Sequence, residues 1–108
     1  MGIWYRVRDL EAARTFYCAK LGFDEAYVDD EDRWARLTHG NTEVALAEGD
    51  PVDEEAILTV DVSDVKAEAE RLRREGVQVG TVLEIPGTIR LLDVFDLDGN
   101  RLQLSEDL

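Results

Sequence analysis

The chain has 108 residues, 44% of them hydrophobic, and 25 acidic against 12 basic side chains give a formal net charge of −13. That length fits one domain able to bury a real core, and the acidity excludes a face for nucleic acid or for an anionic membrane. A lone cysteine, Cys18, excludes an intramolecular disulfide and a multi-cysteine zinc site, and no apolar run is long enough to span a bilayer. The opening Met1-Gly2-Ile3-Trp4-Tyr5-Arg6 lacks the apolar core of a secretion signal. A soluble, cytoplasmic protein is therefore expected.

In chain order, residues 2–8 read as a strand. Ile3, Tyr5 and Val7 share one face; Trp4 and Arg6 share the other. Asp9 then stands where an N-cap would accept a hydrogen bond from the first turn of a helix. The helix carries Leu10, Ala13, Tyr17 and Leu21 at helical spacing, and Gly22 closes it. Cys18 lies beside that stripe and reads as a buried, inert thiol. Short strands follow at about 23–28, 33–38 and 43–47, the last preceded by the turn pair Gly40-Asn41. His39, the sole histidine, reads as a solvated turn residue. The polar segment 49–55 reads as a linker.

The second half repeats the first. A strand over 56–62 sets Leu58, Val60 and Val62 against Ile57, Thr59 and Asp61. Asp64, 55 residues after Asp9, opens a helix carrying Val65, Ala69 and Leu72, and Gly76 follows it. Strands are expected at about 77–85 and 88–95 around the turn Pro86-Gly87. A last strand over 101–105 follows Gly99-Asn100. In Asp96-x-Asp98-Gly99-Asn100 the glycine comes too early for a calcium-binding EF-hand loop, so the segment reads as a turn. The fold class is α+β: two βαβββ modules, about 1–48 and 56–108, in one domain over 1–108.

Two stretches resemble a known family. They are Val7-x-Asp9-Leu10 with Ala13, Phe16-Tyr17 and Leu21-Gly22-Phe23, and the closing Asp96-Leu97-Asp98-Gly99-Asn100-Arg101-Leu102-Gln103-Leu104. The chain resembles the vicinal-oxygen-chelate superfamily of glyoxalases, bleomycin-resistance proteins and extradiol dioxygenases. The resemblance implies sheets that curl around an open cavity, with helices outside. It also implies a divalent metal held by two histidines and a glutamate, often with a further carboxylate, for chelating neighbouring substrate oxygens. Those positions fall on Gly2, Ile57, Gln103 and Ala45, none of which is a competent ligand. No metal and no cofactor are therefore expected.

The predicted cavity face carries Trp4, Arg6, Trp34, Arg36, Glu43, Thr59, Asp61, Asp93, Phe95 and Gln103. Trp4, Trp34 and Phe95 offer stacking surfaces for a planar ligand. Asp61, Asp93 and Glu43 are candidate partners for a cation, unless Arg6 and Arg36 neutralise them. The net charge is open to two readings, attraction of a cationic ligand or general solvation. The leading expectation is a metal-free, non-catalytic binding protein for a cationic, aromatic small molecule, resembling the bleomycin-resistance branch. The alternatives are a divergent lyase, isomerase or dioxygenase-like enzyme of the same superfamily using one of those carboxylates as base, and a ligandless dimeric module. A homodimer is expected, because modules of this kind cover their sheet edges by pairing.

Overall fold

In each half an aspartate stops an extended strand and starts a helix. In the computed structural model, which describes residues 3–50 and 57–108, strand β1 (Ile3–Val7) leads into helix α1 (Leu10–Leu21). There Asp9 Oδ1 accepts from the Ala12 amide at 3.1 Å. In the second half, β5 (Leu58–Asp61) leads into α2 (Val65–Arg74), with Asp64 Oδ1 accepting from the Ala67 amide at 3.0 Å. Gly22 ends α1 at φ 76°, a left-handed conformation that glycine adopts without a Cβ penalty.

Three strands complete each module: β2 (Asp24–Asp29), β3 (Trp34–His39) and β4 (Thr42–Glu48), then β6 (Leu83–Ile85), β7 (Ile89–Phe95) and β8 (Arg101–Asp107). The sheets have the orders β1-β4-β3-β2 and β5-β8-β7-β6, the same arrangement twice. In each sheet the first and last strands of the module pair in parallel, and the remaining pairs are antiparallel. Both sheets are open and four-stranded, as two βαβββ modules require.

The side of each sheet that faces a helix is apolar. Val7, Leu37, Val44 and Leu46 in the first sheet, and Val60, Leu92, Val94 and Leu102 in the second, are almost wholly buried. Leu10 and Tyr17 of α1, and Val65 and Leu72 of α2, fill the space above them. Side chains also tie the modules together. The Tyr17 hydroxyl donates to Asp96 Oδ2 at 2.8 Å, and the Tyr5 hydroxyl accepts from the Leu58 amide at 2.9 Å and donates to the Arg101 carbonyl. Arg71 Nη2 donates to the Lys20 carbonyl at 2.9 Å. Among the described residues, no helix is long and apolar enough to cross a membrane.

Four expectations need correction or limits. The strand expected over 77–85 shrinks to Leu83–Ile85, while Val79 makes a lone bridge to Val94. Val77 is spent closing α2, its amide bonding the Leu72 carbonyl, and Gly80 offers β7 only a backbone bond to Asp93. His39 is not a solvated turn residue: it is the last residue of β3, paired with Thr42, half-buried, and its ring packs on Phe23 at 5.3 Å. Gly40-Asn41 makes the turn without it. Cys18 is half-buried rather than buried, since it sits at the margin of the apolar stripe. Gly2, most of the 49–55 linker and the first residue of the 56–62 strand lie outside the described residues.

Candidate functional site

Strand alternation turns the remaining side chains away from the helices, and all ten predicted cavity residues belong to that set. In the first sheet one row across the strands runs Trp4, Ala45, Arg36, Tyr27; the next runs Arg6, Ala47, Trp34, Asp29. The two alanines leave a shallow floor, and the aromatic rings lean together over it. Trp34 lies 5.5 Å from Trp4 and 5.1 Å from Tyr27, centroid to centroid, in tilted contacts. Trp4 nevertheless remains 55% exposed and Tyr27 47% exposed. The three rings thus form one aromatic cluster that keeps part of its surface in contact with solvent.

In the second sheet the corresponding row is Thr59, Gln103, Asp93, and the next is Asp61, Ser105, Leu91, Leu83. Phe95, half-buried, faces Arg101 at the end of β7. Leu83 and Ile85 on the outer strand are exposed. The predicted residues thus form two groups, one on each open sheet: Trp4, Arg6, Trp34, Arg36 and Glu43 on the first, Thr59, Asp61, Asp93, Phe95 and Gln103 on the second. Thr42, whose hydroxyl donates to the Thr59 carbonyl at 3.2 Å, links the two sheets between them.

The charges on these faces are largely matched. Arg36 lies 3.8 Å from Glu43, and Asp93 lies 3.8 Å from Arg101 while accepting from Gln103 Nε2 at 3.3 Å. Asp61 is the exposed acid for which no such partner is seen among the described residues. On the other side of the balance, Arg6 is an exposed cation draped over Gly49. In the rows described, Arg6, Arg36 and Arg101 stand against Asp29, Glu43, Asp61 and Asp93, a closer balance than the net charge of the chain.

The metal site that the resemblance implies does not fit these residues. Ile57 and Ala45 present hydrocarbon. Gln103 presents an amide whose nitrogen is already committed to Asp93. A different acidic group, Asp9, Glu11 and Glu48, brings ligand atoms within 4.8 Å of one another. Its charge is met locally. Arg33 Nη2 bonds Glu11 at 2.8 Å and Glu48 at 2.9 Å, and the amides of Leu10 and Ala12 bond Glu48 and Asp9. The guanidinium holds the Glu11 carboxyl down at about 2, and lowers that of Glu48 as well. Burial pushes the Cys18 thiol up, away from the thiolate a nucleophile needs. The Asp96 segment is a turn, as expected: Asp96 accepts from the amides of Asp98 and Asn100 at 2.9 Å each.

Sequence reasoning missed Tyr27, Leu83 and Ile85. A bulge between Glu25 and Tyr27 shifts the β2 register, and so the face on which Tyr27 falls, in a way that plain alternation does not show. For Leu83 and Ile85 the signal was present, since they alternate with Glu84, but the strand was expected to be longer and its facing was not assigned.

A sequence model of the Glyoxalase/Bleomycin resistance protein/Dioxygenase superfamily matches residues 3–104. The chain belongs to this superfamily. Solved structures agree on the fold. An integron cassette protein from a Halifax Harbour sewage-outfall metagenome superposes with a TM-score of 0.85 at 22% identity, covering 98% of this chain and 96% of that one. TnmS3, an antibiotic-binding protein from Streptomyces sp. CB03234, gives 0.79 at 25% identity, with 99% and 93% covered. The fosfomycin resistance protein FosX from Listeria monocytogenes, solved with Mn(II) and a dihydroxypropylphosphonic acid, gives 0.81 at 19% identity, with 99% and 88% covered. Among curated proteins, none matches the chain in sequence.

Proposed function

We propose that this superfamily member binds a planar, aromatic small molecule on the open sheet faces, without a metal ion and without catalysis, as a cytoplasmic homodimer. The observation that carries this reading is the exposed Trp4–Trp34–Tyr27 cluster above Ala45 and Ala47. Rings held by one another lose little freedom when a flat ligand stacks on them, and the alanine floor leaves space for its edge. The likeness to TnmS3, itself an antibiotic-binding protein, supports a binding role within the superfamily. The poor fit of Ile57, Ala45 and Gln103 to a metal supports a role that needs none.

Arg6, Arg36, Glu43, Thr59, Asp61, Asp93, Phe95 and Gln103 supply the polar and apolar margin of the proposed site. The matched charges shift weight from a cationic ligand toward a planar one of either sign, with Asp61 the contact that would favour a cation. An edge of each sheet stays open in a single chain, and Leu83 and Ile85 are apolar and exposed. Pairing with a second copy would cover such surface. Tryptophan emission tests the proposal, because both tryptophans of the chain lie in the cluster. A panel of cationic, neutral and anionic planar aromatics should contain members that perturb the emission saturably. If none does at millimolar concentration, the binding reading fails.

A further inference from the structure

Four side chains frame the alanine floor of the first sheet. Trp4 and Arg36 flank Ala45, and Arg6 and Trp34 flank Ala47. The tryptophans therefore stand on one diagonal, where their rings meet at 5.5 Å, and the arginines stand on the other. The two arginines differ in their surroundings. Arg36 has Glu43 at 3.8 Å. The Arg6 guanidinium is exposed and, among the described residues, has no acid, acceptor or ring as a partner, the nearby Asp50 included. That is so in a chain whose acids outnumber its bases by 25 to 12. The acids of its own row and of β4, the strand beside it, are engaged elsewhere. Glu43 faces Arg36, and Glu48 is bound by Arg33 and by the Leu10 amide. Asp29 lies three strands away in the row, about 14 Å across the sheet. Its Oδ1 accepts from the amides of Glu31 and Asp32 at 3.1 and 3.0 Å.

The place of the guanidinium is prepared by the chain around it. Arg6 Nη1 lies 3.0 Å from where a Cβ on Gly49 would stand. The backbone of Gly49 is not left-handed, so its conformation does not call for glycine; the close approach of Arg6 does. The Gly49 amide bonds the Val7 carbonyl at 2.9 Å, and Asn100 Nδ2 bonds the Arg6 carbonyl at 3.0 Å, which fixes the backbone on both sides. We infer that Arg6 sets the charge preference of the sheet-face site. The planar ligand carries a carboxylate or sulfonate on its edge, which the guanidinium binds through parallel N–H groups while the ring stacks on the tryptophans. This preference, which rests on the planar-ligand reading, narrows the ligand to an aromatic acid. The net charge of −13 opposes an anion at long range only, and physiological salt screens it beyond about 8 Å.

2-Naphthoate is the probe and 2-naphthamide its uncharged counterpart, each titrated calorimetrically at physiological salt. The acid should bind about two- to fivefold more tightly than the amide, the reach of one exposed charge pair. Arg6→Gln should remove that difference by weakening the acid alone, and Arg6→Lys should keep part of it. Binding of the amide by each variant also reports that the variant is folded. Arg74→Gln removes the same charge from an exposed position on α2 and should leave both affinities unchanged. Three results overturn the inference: equal binding of acid and amide by wild type, equal weakening of both by Arg6→Gln, or weakening of the acid by Arg74→Gln as large as by Arg6→Gln. The amide still binds in each of these, so the planar-ligand reading survives them. If neither compound binds at millimolar concentration, that reading fails and the preference fails with it.

Discussion

Trp34 stands between two other rings, so it is the residue whose loss should remove most of the stacking surface. Trp34→Ala is expected to weaken a planar ligand by about 1–3 kcal/mol, as for a true anchor. Tyr27→Ala should weaken it as well, whereas a chain using only the two tryptophans would tolerate that change; calorimetric titration separates the cases. Asp61→Asn should matter only for cationic ligands, and its effect should fade with salt because the carboxylate is exposed. Glu11 gives a prediction in pH. Its carboxyl lies near 2 in the folded chain against an ordinary 4.5, because of its bond to Arg33. A depressed carboxyl contributes stability that is present above the unfolded value and is lost as the pH falls from about 4.5 through about 2. Denaturant unfolding of wild type should therefore weaken across that window, and Arg33→Met should flatten the dependence. An unchanged acid limb in the variant would contradict the assignment.

At the scale of elements, the two modules use one device twice. Glu48 at the end of β4 accepts from the Leu10 amide at the start of α1, and Arg33 holds it; Glu106 near the end of β8 accepts from the Val65 amide at the start of α2, and Arg90 holds it. Each helix start is thus served by its capping aspartate and by a glutamate from the neighbouring strand. Asp64→Ala should cost about 0.5–2 kcal/mol, the usual range for a lost cap. Glu106→Ala should lower the melting temperature further when combined with it than when made alone, because two amide groups at one helix start then lack partners. The caps, the helical stripes and the repeat were legible because each is local or periodic: Asp9 and Asp64 stand three residues before the amides they bind. Glu48 and Glu106 were not, since their partners lie 38 and 41 residues away and only the folded register brings them close. Tyr27 escaped for the same kind of reason, through its bulge, and His39 because Gly40-Asn41 looked like the centre of a longer turn. That the ten residues share the side of the sheets turned away from the helices was legible, because alternation decides the side of a sheet. The ion pairs that neutralise most of their charge were not, because cross-strand register decides those.

The whole molecule combines a net charge of −13 with open sheet edges and exposed apolar side chains. These act in opposite directions on association: like charges repel, while the uncovered surface favours contact. A homodimer should therefore form more readily as salt screens the repulsion. Light scattering should report about twice 12.2 kDa at moderate salt, and a chain that stays at 12.2 kDa at all salt concentrations would count against pairing. The central claim is that the aromatic face binds a flat molecule with no metal involved. The most direct measurement is a titration of proflavine, a planar cation, and of 1-naphthalenesulfonate, a planar anion, into chelator-treated protein, read by tryptophan emission and heat, for wild type and Trp34→Ala. The account predicts saturable binding of at least one of them, unchanged by added divalent metal and weakened by about 1–3 kcal/mol in the variant. Binding that appears only when a metal ion is restored, or that is indifferent to Trp34, would contradict it.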